Sequence, residues 1–204
     1  AVGSERTAFV FLTGDDLHES RLTYAQLDRE ARSIAIALSN HNVSGQPVLL
    51  IEAPGLRFMA AIFGCLYAGA IVVPSYPPGP RENAKPSSRF LRVVQDAQPA
   101  VVIGSGKSLE TAQSIVFSEL PCIDLDSLPG QAEDDWIEPK LSQSDVALIQ
   151  YTSGSTGAPK GVALTHGNFL NNLQVFGKET LVSASSVGVS WLPPYHDLGL
   201  FCTL

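Results

Sequence analysis

Apolar positions along this chain switch repeatedly between two spacings. Thr7 to Leu12 is a β-branched and aromatic run, Gly14-Asp15-Asp16 punctuates it, and a second run ends near Leu22, which predicts an opening hairpin. Thr23 with Gln26 three residues on is a capping-box pattern, and Leu27, Ala31, Ile34 and Leu38 recur at helical spacing, so a helix is predicted to end near Asn40. Pro47 to Ile51 predicts a central strand, followed by a helix over about Gly55 to Tyr67 and a strand over Ala70 to Val73. The uncharged stretch from Phe58 through Val73 would rise only about 24 Å as a helix, and Gly69 and Pro74 interrupt it, so a buried helix and strand are expected there and no membrane span.

The rhythm continues. A helix is predicted over Asn83 to Asp96 with Phe90, Leu91 and Val94 facing inward, a strand over Ala100 to Ile103, a helix over Ser105 to Val116 and a strand over Pro121 to Asp124. Acids, prolines and polar residues gather between Asp126 and Ser144, the expected linker or surface loop. Val146 to Ile149 reads as a buried strand, Val162 to Leu164 as a short one, and Thr165-His166-Gly167-Asn168 as the start of a helix that carries Phe169, Leu170, Leu173 and Phe176 inward. Strands separated by helices imply βαβ units, hence an α/β fold with a mostly parallel sheet and flanking helices.

Composition narrows the partners. A chain of 204 residues, 45% hydrophobic and 16% charged, can bury a sizeable core. Its net charge of −7, with no Lys/Arg cluster, argues against nucleic acid as a partner. Cys65, Cys122 and Cys202 are far apart and without metal-ligand spacing, which predicts buried thiols in a reducing compartment. Ala1 to Asp16 has neither the basic start nor the long apolar region of a signal peptide, so a cytoplasmic location is expected.

The densest chemistry lies in Tyr151-Thr152-Ser153-Gly154-Ser155-Thr156-Gly157-Ala158-Pro159-Lys160-Gly161, directly after the apolar run. Glycines let backbone N–H groups approach an anion, hydroxyls add donors and a lysine supplies charge, so the composition is that of a phosphate cradle. Two other loops fail on spacing. A Walker loop needs G-x-x-x-x-G-K-[ST], but Pro159 stands five residues after Gly154 and Gly161 follows Lys160. A nucleophile elbow needs G-x-S-x-G, but Ser153 stands two before Ser155.

The string resembles the phosphate loop of the adenylate-forming enzymes: acyl- and aryl-CoA ligases, fatty acyl-AMP ligases, luciferases and the adenylation domains of peptide synthetases. Val72-Val73-Pro74-Ser75-Tyr76-Pro77-Pro78 and Val189-Ser190-Trp191-Leu192-Pro193-Pro194-Tyr195-His196-Asp197-Leu198-Gly199-Leu200 look most like the fatty acyl-AMP ligases. The resemblance extends from Thr23 onward and implies that residues 1–204 are the N-terminal part of an AMP-binding domain. It implies ATP and Mg2+ as cofactors and a fatty acid as substrate. It implies further that the acyl group of the adenylate passes to an acyl carrier protein or a synthase carrier domain. CoA as acceptor is the alternative, and a non-catalytic nucleotide- or partner-binding module is another.

The resemblance also implies site residues. Thr152, Ser153, Gly154, Ser155, Thr156, Gly157 and Lys160 would grip the phosphates, with Thr152 against the magnesium ion. Lys160, a catalytic candidate together with His196, either adds charge at the polyphosphate or is a solvated surface lysine. His196, matching a histidine beside the acyl carboxylate and α-phosphate, is the catalytic candidate; alternatively His196-Asp197 is a structural pair, with Asp197 orienting the region. Trp191 and Tyr195 either line the acyl pocket or simply pack. His18, His41 and His166 are expected to be structural or exposed. The family's second magnesium motif, ribose aspartate and small C-terminal domain have no counterpart before Leu204, so the expectation is a fragment of a longer ligase with little activity alone.

Overall fold

The computed structural model describes residues 4–76, 88–115, 120–128, 135–152, 159–183, 185–196 and 198–200. The predicted hairpin forms: β1 (Thr7–Thr13) and β2 (His18–Thr23) pair antiparallel as a separate two-stranded sheet. Thr23 then caps α1 (Tyr24–Ser39) reciprocally. Its Oγ1 accepts from the Gln26 N–H at 3.2 Å, and its own N–H donates to Gln26 Oε1 at 2.8 Å, satisfying two amides the helix leaves unpaired. Leu27, Ala31, Ile34 and Leu38 are buried, as their spacing predicts.

The main sheet has six strands in the order β6-β5-β3-β4-β7-β8, built from β3 (Pro47–Ile51), β4 (Ile71–Pro74), β5 (Val101–Gly104), β6 (Cys122–Asp124), β7 (Val146–Thr152) and β8 (Lys160–Thr165). All neighbours are parallel except β7 and β8. Between the strands run α2 (Leu56–Tyr67), α3 (Ser88–Ala97) and α4 (Gly106–Ile115). The chain steps one way from β3 to β4 and the other way from β4 to β5 and β6, so right-handed crossovers deposit their helices on opposite faces. One face packs Val48, Leu50, Val72 and Leu148 beneath α1 and α2; the other packs Leu49, Ile51, Val73 and Val102 beneath α3 and α4. Such doubly covered strands read as continuous apolar runs, which is why β3 and β5 stand out in the sequence.

Three expectations change. In α3 the buried stripe is Phe90, Val93 and Ala97, while Leu91 and Val94 are half-buried; the Leu91-Val94 pairing placed the stripe off its true axis by part of a turn. The predicted start of that helix at 83–87, the end of α4 at Val116, and Pro77, Pro78, Gly79, Pro80 and Cys202 lie outside the described residues. In α5 (His166–Glu179), which starts where predicted and is capped by Thr165 and Asn168, no residue is buried: Leu170 is 50% and Phe176 46% exposed, Leu173 is exposed too, and Phe169 packs partly against the core. Its periodicity marks an apolar face, of which Leu170, Leu173 and Phe176 stay exposed. The 126–144 stretch is irregular where described, yet Trp136 ties it down: its ring stacks on Tyr67 at 4.9 Å, its Nε1–H donates to the Tyr67 carbonyl at 3.0 Å, and the Arg32 guanidinium lies 4.7 Å from its centroid.

Cys65 is buried on α2, and desolvation pushes its thiol well above the usual range; Cys122 is partly buried and shifted the same way. No described helix is long and apolar enough to cross a membrane.

The tightest point of the sheet is Gly104, paired with Ile51, where a Cβ would stand 2.2 Å from the Ile51 carbonyl oxygen. Gly104→Ala is expected to force β3 and β5 apart and lower stability by about 1–3 kcal/mol, read as a lower urea midpoint.

Candidate functional site

Because β3, β4, β5 and β7 are parallel, their carboxyl ends share one edge of the sheet. Connections leaving β3 and β4 diverge to opposite faces there, and such an edge is where open α/β sheets hold ligands. Glu52 follows β3, Ser75 and Tyr76 follow β4, Ser105 follows β5, and Thr152 ends β7. The antiparallel β8 begins at this edge, with Lys160 directly opposite Thr152. The two residues are thus the stems of the glycine-rich loop. Thr152 is half-buried and Lys160 exposed. Ser153, Gly154, Ser155, Thr156 and Gly157 lie outside the described residues, as does Asp197.

The second half of the site is aromatic. The Tyr76 hydroxyl hydrogen-bonds His196 Nε2, the two rings meeting edge-on with centroids 5.5 Å apart. Tyr195 packs between Tyr76, at 3.9 Å, and Phe58 of α2, at 6.5 Å. Burial pushes the Tyr195 phenol above its ordinary range, and the nearby Tyr76 phenol adds to the shift. The turn carrying His196 is tight: the His196 N–H donates to the Pro193 carbonyl at 3.0 Å, the Leu200 N–H donates to the His196 carbonyl at 2.8 Å, and a Cβ on Gly199 would stand 2.1 Å from the Pro193 oxygen.

Gln150 connects this turn to the sheet. It is 4% exposed, its Nε2 donates to the Tyr195 carbonyl at 3.0 Å, and its Oε1 meets no hydrogen-bond partner among the described residues. On the opposite face of the same strand, the Tyr151 hydroxyl donates to Asp96 Oδ2 at 2.6 Å. The structure therefore brings Tyr195 and His196 together and sets Thr152 against Lys160. Trp191 does not join them; it is 88% exposed. Tyr76, Gln150 and Phe58 join this candidate site through contacts that periodicity could not identify, since each reaches its partner only through the tertiary fold. For Tyr76 the available signals were its place just past a buried strand end and its presence in the string Val72 to Pro78 that resembles the fatty acyl-AMP ligases.

Among the described residues no group of three or more His, Cys, Asp or Glu side chains gathers to hold a metal ion. The donor present at the loop stem is the Thr152 hydroxyl, a hard oxygen suited to magnesium when phosphate oxygens supply the remaining ligands.

The AMP-binding enzyme family matches this chain over residues 1–204, its whole length. The chain belongs to that family. Among relatives of this AMP-binding protein, the medium-chain-fatty-acid–[acyl-carrier-protein] ligase JamA of Moorena producens is 34% identical, the match covering 97% of this chain and 34% of JamA. The long-chain-fatty-acid–AMP ligase FadD32 of Mycolicibacterium smegmatis is 30% identical over 100% of this chain and 33% of its own length. The fatty acyl-adenylate ligase of Legionella pneumophila, solved in complex with acyl adenylate and pyrophosphate, superposes with a TM-score of 0.85 at 35% identity, over 97% of this chain and 34% of that one. The chain thus spans about a third of the length of the relatives it matches. The expected fold class and kinship with fatty acyl-AMP ligases both hold.

The same edge carries a buried carboxyl. Glu52, 6% exposed, accepts from Ser105 Oγ at 2.8 Å, and Arg57, ion-paired with Asp126, lies close by. Burial raises its pKa, outweighing the opposing pull of the Ser105 hydrogen bond and Arg57. The folded state therefore holds this proton to a higher pH than the unfolded chain, and stability is lost as pH rises from the ordinary carboxyl range through the raised value. Glu52→Gln is expected to remove that slope and stabilise the protein at neutral pH while leaving it unchanged or weaker at acidic pH, measured by urea unfolding across the range.

Proposed function

We propose that the protein activates a fatty acid as its acyl-adenylate and passes the acyl group to the phosphopantetheine thiol of an acyl carrier protein. The observation that carries this reading is the 34% identity, across 97% of the chain, to a ligase named for those two partners. The unbroken string from Tyr151 to Gly161, rooted at the carboxyl edge of the sheet, supports it.

ATP supplies the electrophile: a carboxylate oxygen bonds to the α-phosphorus as the bond to the pyrophosphate oxygen breaks. Two anions must be held together and the charge on the departing pyrophosphate neutralised, which positioned donors achieve at short range. The backbone amides and hydroxyls from Ser153 to Gly157 would donate to the β- and γ-phosphates, Lys160 would add a point charge, and the Thr152 hydroxyl would ligate magnesium. In the tautomer where the Tyr76 phenol donates to Nε2, the His196 ring would carry its proton on Nδ1 and could donate it to the acid and α-phosphate oxygens. Tyr195, wedged between Phe58 and Tyr76, holds that ring in place and offers an apolar wall to the start of the acyl chain.

In the complete protein, fatty-acid-dependent ATP–pyrophosphate exchange is expected, with His196→Ala lowering kcat about 100-fold and Lys160→Ala acting mainly on the KM for ATP, raising it about 10-fold. Lack of exchange with any fatty acid would remove the adenylation reading. Offered a labelled fatty acid, the protein should load a holo carrier protein and leave CoA free; efficient acyl-CoA formation would reassign the acceptor.

A further inference from the structure

We propose that α3 grips the root of the phosphate loop through Tyr151, making Arg89 and Asp96 positioning residues for ATP. This rests on the adenylation reading above for its ligand, and on the geometry alone for the clamp.

A helix that crosses from one parallel strand to another runs back against them, so the start of α3 lies at the carboxyl edge of the sheet and its end near the opposite edge. Arg89 is in its first turn and Asp96 in its last, seven residues or about 10.5 Å along the axis, on the side that also buries Phe90, Val93 and Ala97. Tyr151 spans that interval. Arg89 Nη2 donates to its carbonyl at 3.3 Å, and its hydroxyl donates to Asp96 Oδ2 at 2.6 Å. Burial, reinforced by Asp96, drives the phenol above its ordinary range, so it remains a donor throughout the working pH range. A third contact comes from the loop's own far stem. Gly161 pairs with Tyr151 in the β7–β8 ladder, and a Cβ there would lie 3.1 Å from Tyr151 Cζ and 2.9 Å from Ile149 Cγ2. The glycine closing the motif therefore leaves room for the ring rather than serving only the anion.

Tyr151 is thus held at its carbonyl, its ring face and its hydroxyl, one residue before Thr152. Thr152 and Lys160 are the next pair along the ladder and the last before the loop. Donors rooted at stems that are already fixed lose less entropy when they are ordered around a polyphosphate. The clamp serves ATP and has no direct contact with the aromatic pocket around His196, which lies on the other face of β7.

The test uses the complete protein and two independent readouts. Tyr151→Phe and Asp96→Ala should each speed hydrogen exchange of the 151, 152, 160 and 161 amides about fivefold, with β3 amides unchanged, and raise the KM for ATP by a similar factor while leaving the KM for the fatty acid alone. The double variant should be no worse than either single one, since both remove the same bond. Asp96→Asn, which keeps an acceptor, should restore most of the effect of Asp96→Ala. Arg89→Met should act in the same direction as Tyr151→Phe, with Arg89→Lys intermediate. Unchanged exchange at the four amides, additive singles, or a fatty-acid KM rising in step with that for ATP would overturn the clamp. If the wild-type protein shows no nucleotide-dependent activity, the adenylation reading falls, while the exchange data still decide the clamp.

Discussion

The site hangs from the two-residue alternation of β7. Side chains on a strand point to opposite faces in turn, and at the end of β7 that rule sends Gln150 to the turn bearing His196 and Tyr151 to α3, before Thr152 enters the loop. A slip of one residue in this strand would exchange the two faces and detach both. The slip is opposed by Leu148 and Ala147, buried on either side, and by the ladder to β8 running from Val146–Thr165 to Thr152–Lys160. The strand acts as a rail that carries the loop stem and the histidine turn at fixed separation.

Much of this architecture follows from local pattern. The capping box of Thr23 and Gln26 is a four-residue signal, and both of its hydrogen bonds form. The runs of β3, β4 and β5 are fully apolar because both of their faces are covered, and such runs cannot be confused with loops. What local pattern could not supply was contact between distant segments. Tyr76 meets His196 across 120 positions, and only the order β3-β4-β7 in the sheet brings them to one edge. The buried face of α3 was misjudged by part of a turn because Leu91 and Val94 are as apolar as Val93, and hydrophobicity alone does not fix a helix about its axis. For α5 the period was right and the conclusion was not: an amphipathic stripe states which side is apolar, not whether anything lies against it.

Tyr76, Tyr195, His196 and Gln150 form one connected group in which a single donor is spent on fixing a backbone carbonyl. Gln150 could have turned its amide over, but that would set two carbonyl oxygens against each other, so the bond to Tyr195 fixes its orientation and leaves Oε1 without a donor among the described residues.

The two tryptophans of the chain occupy opposite environments, Trp136 stacked on Tyr67 beneath Arg32 and Trp191 standing in solvent five residues before His196. The molecule consequently carries its own pair of optical reporters. Indole emission from the first is tied to the packing of α1 on α2, and from the second to whatever approaches the histidine turn. Unfolding and ligand arrival would leave different fluorescence signatures in the unlabelled protein.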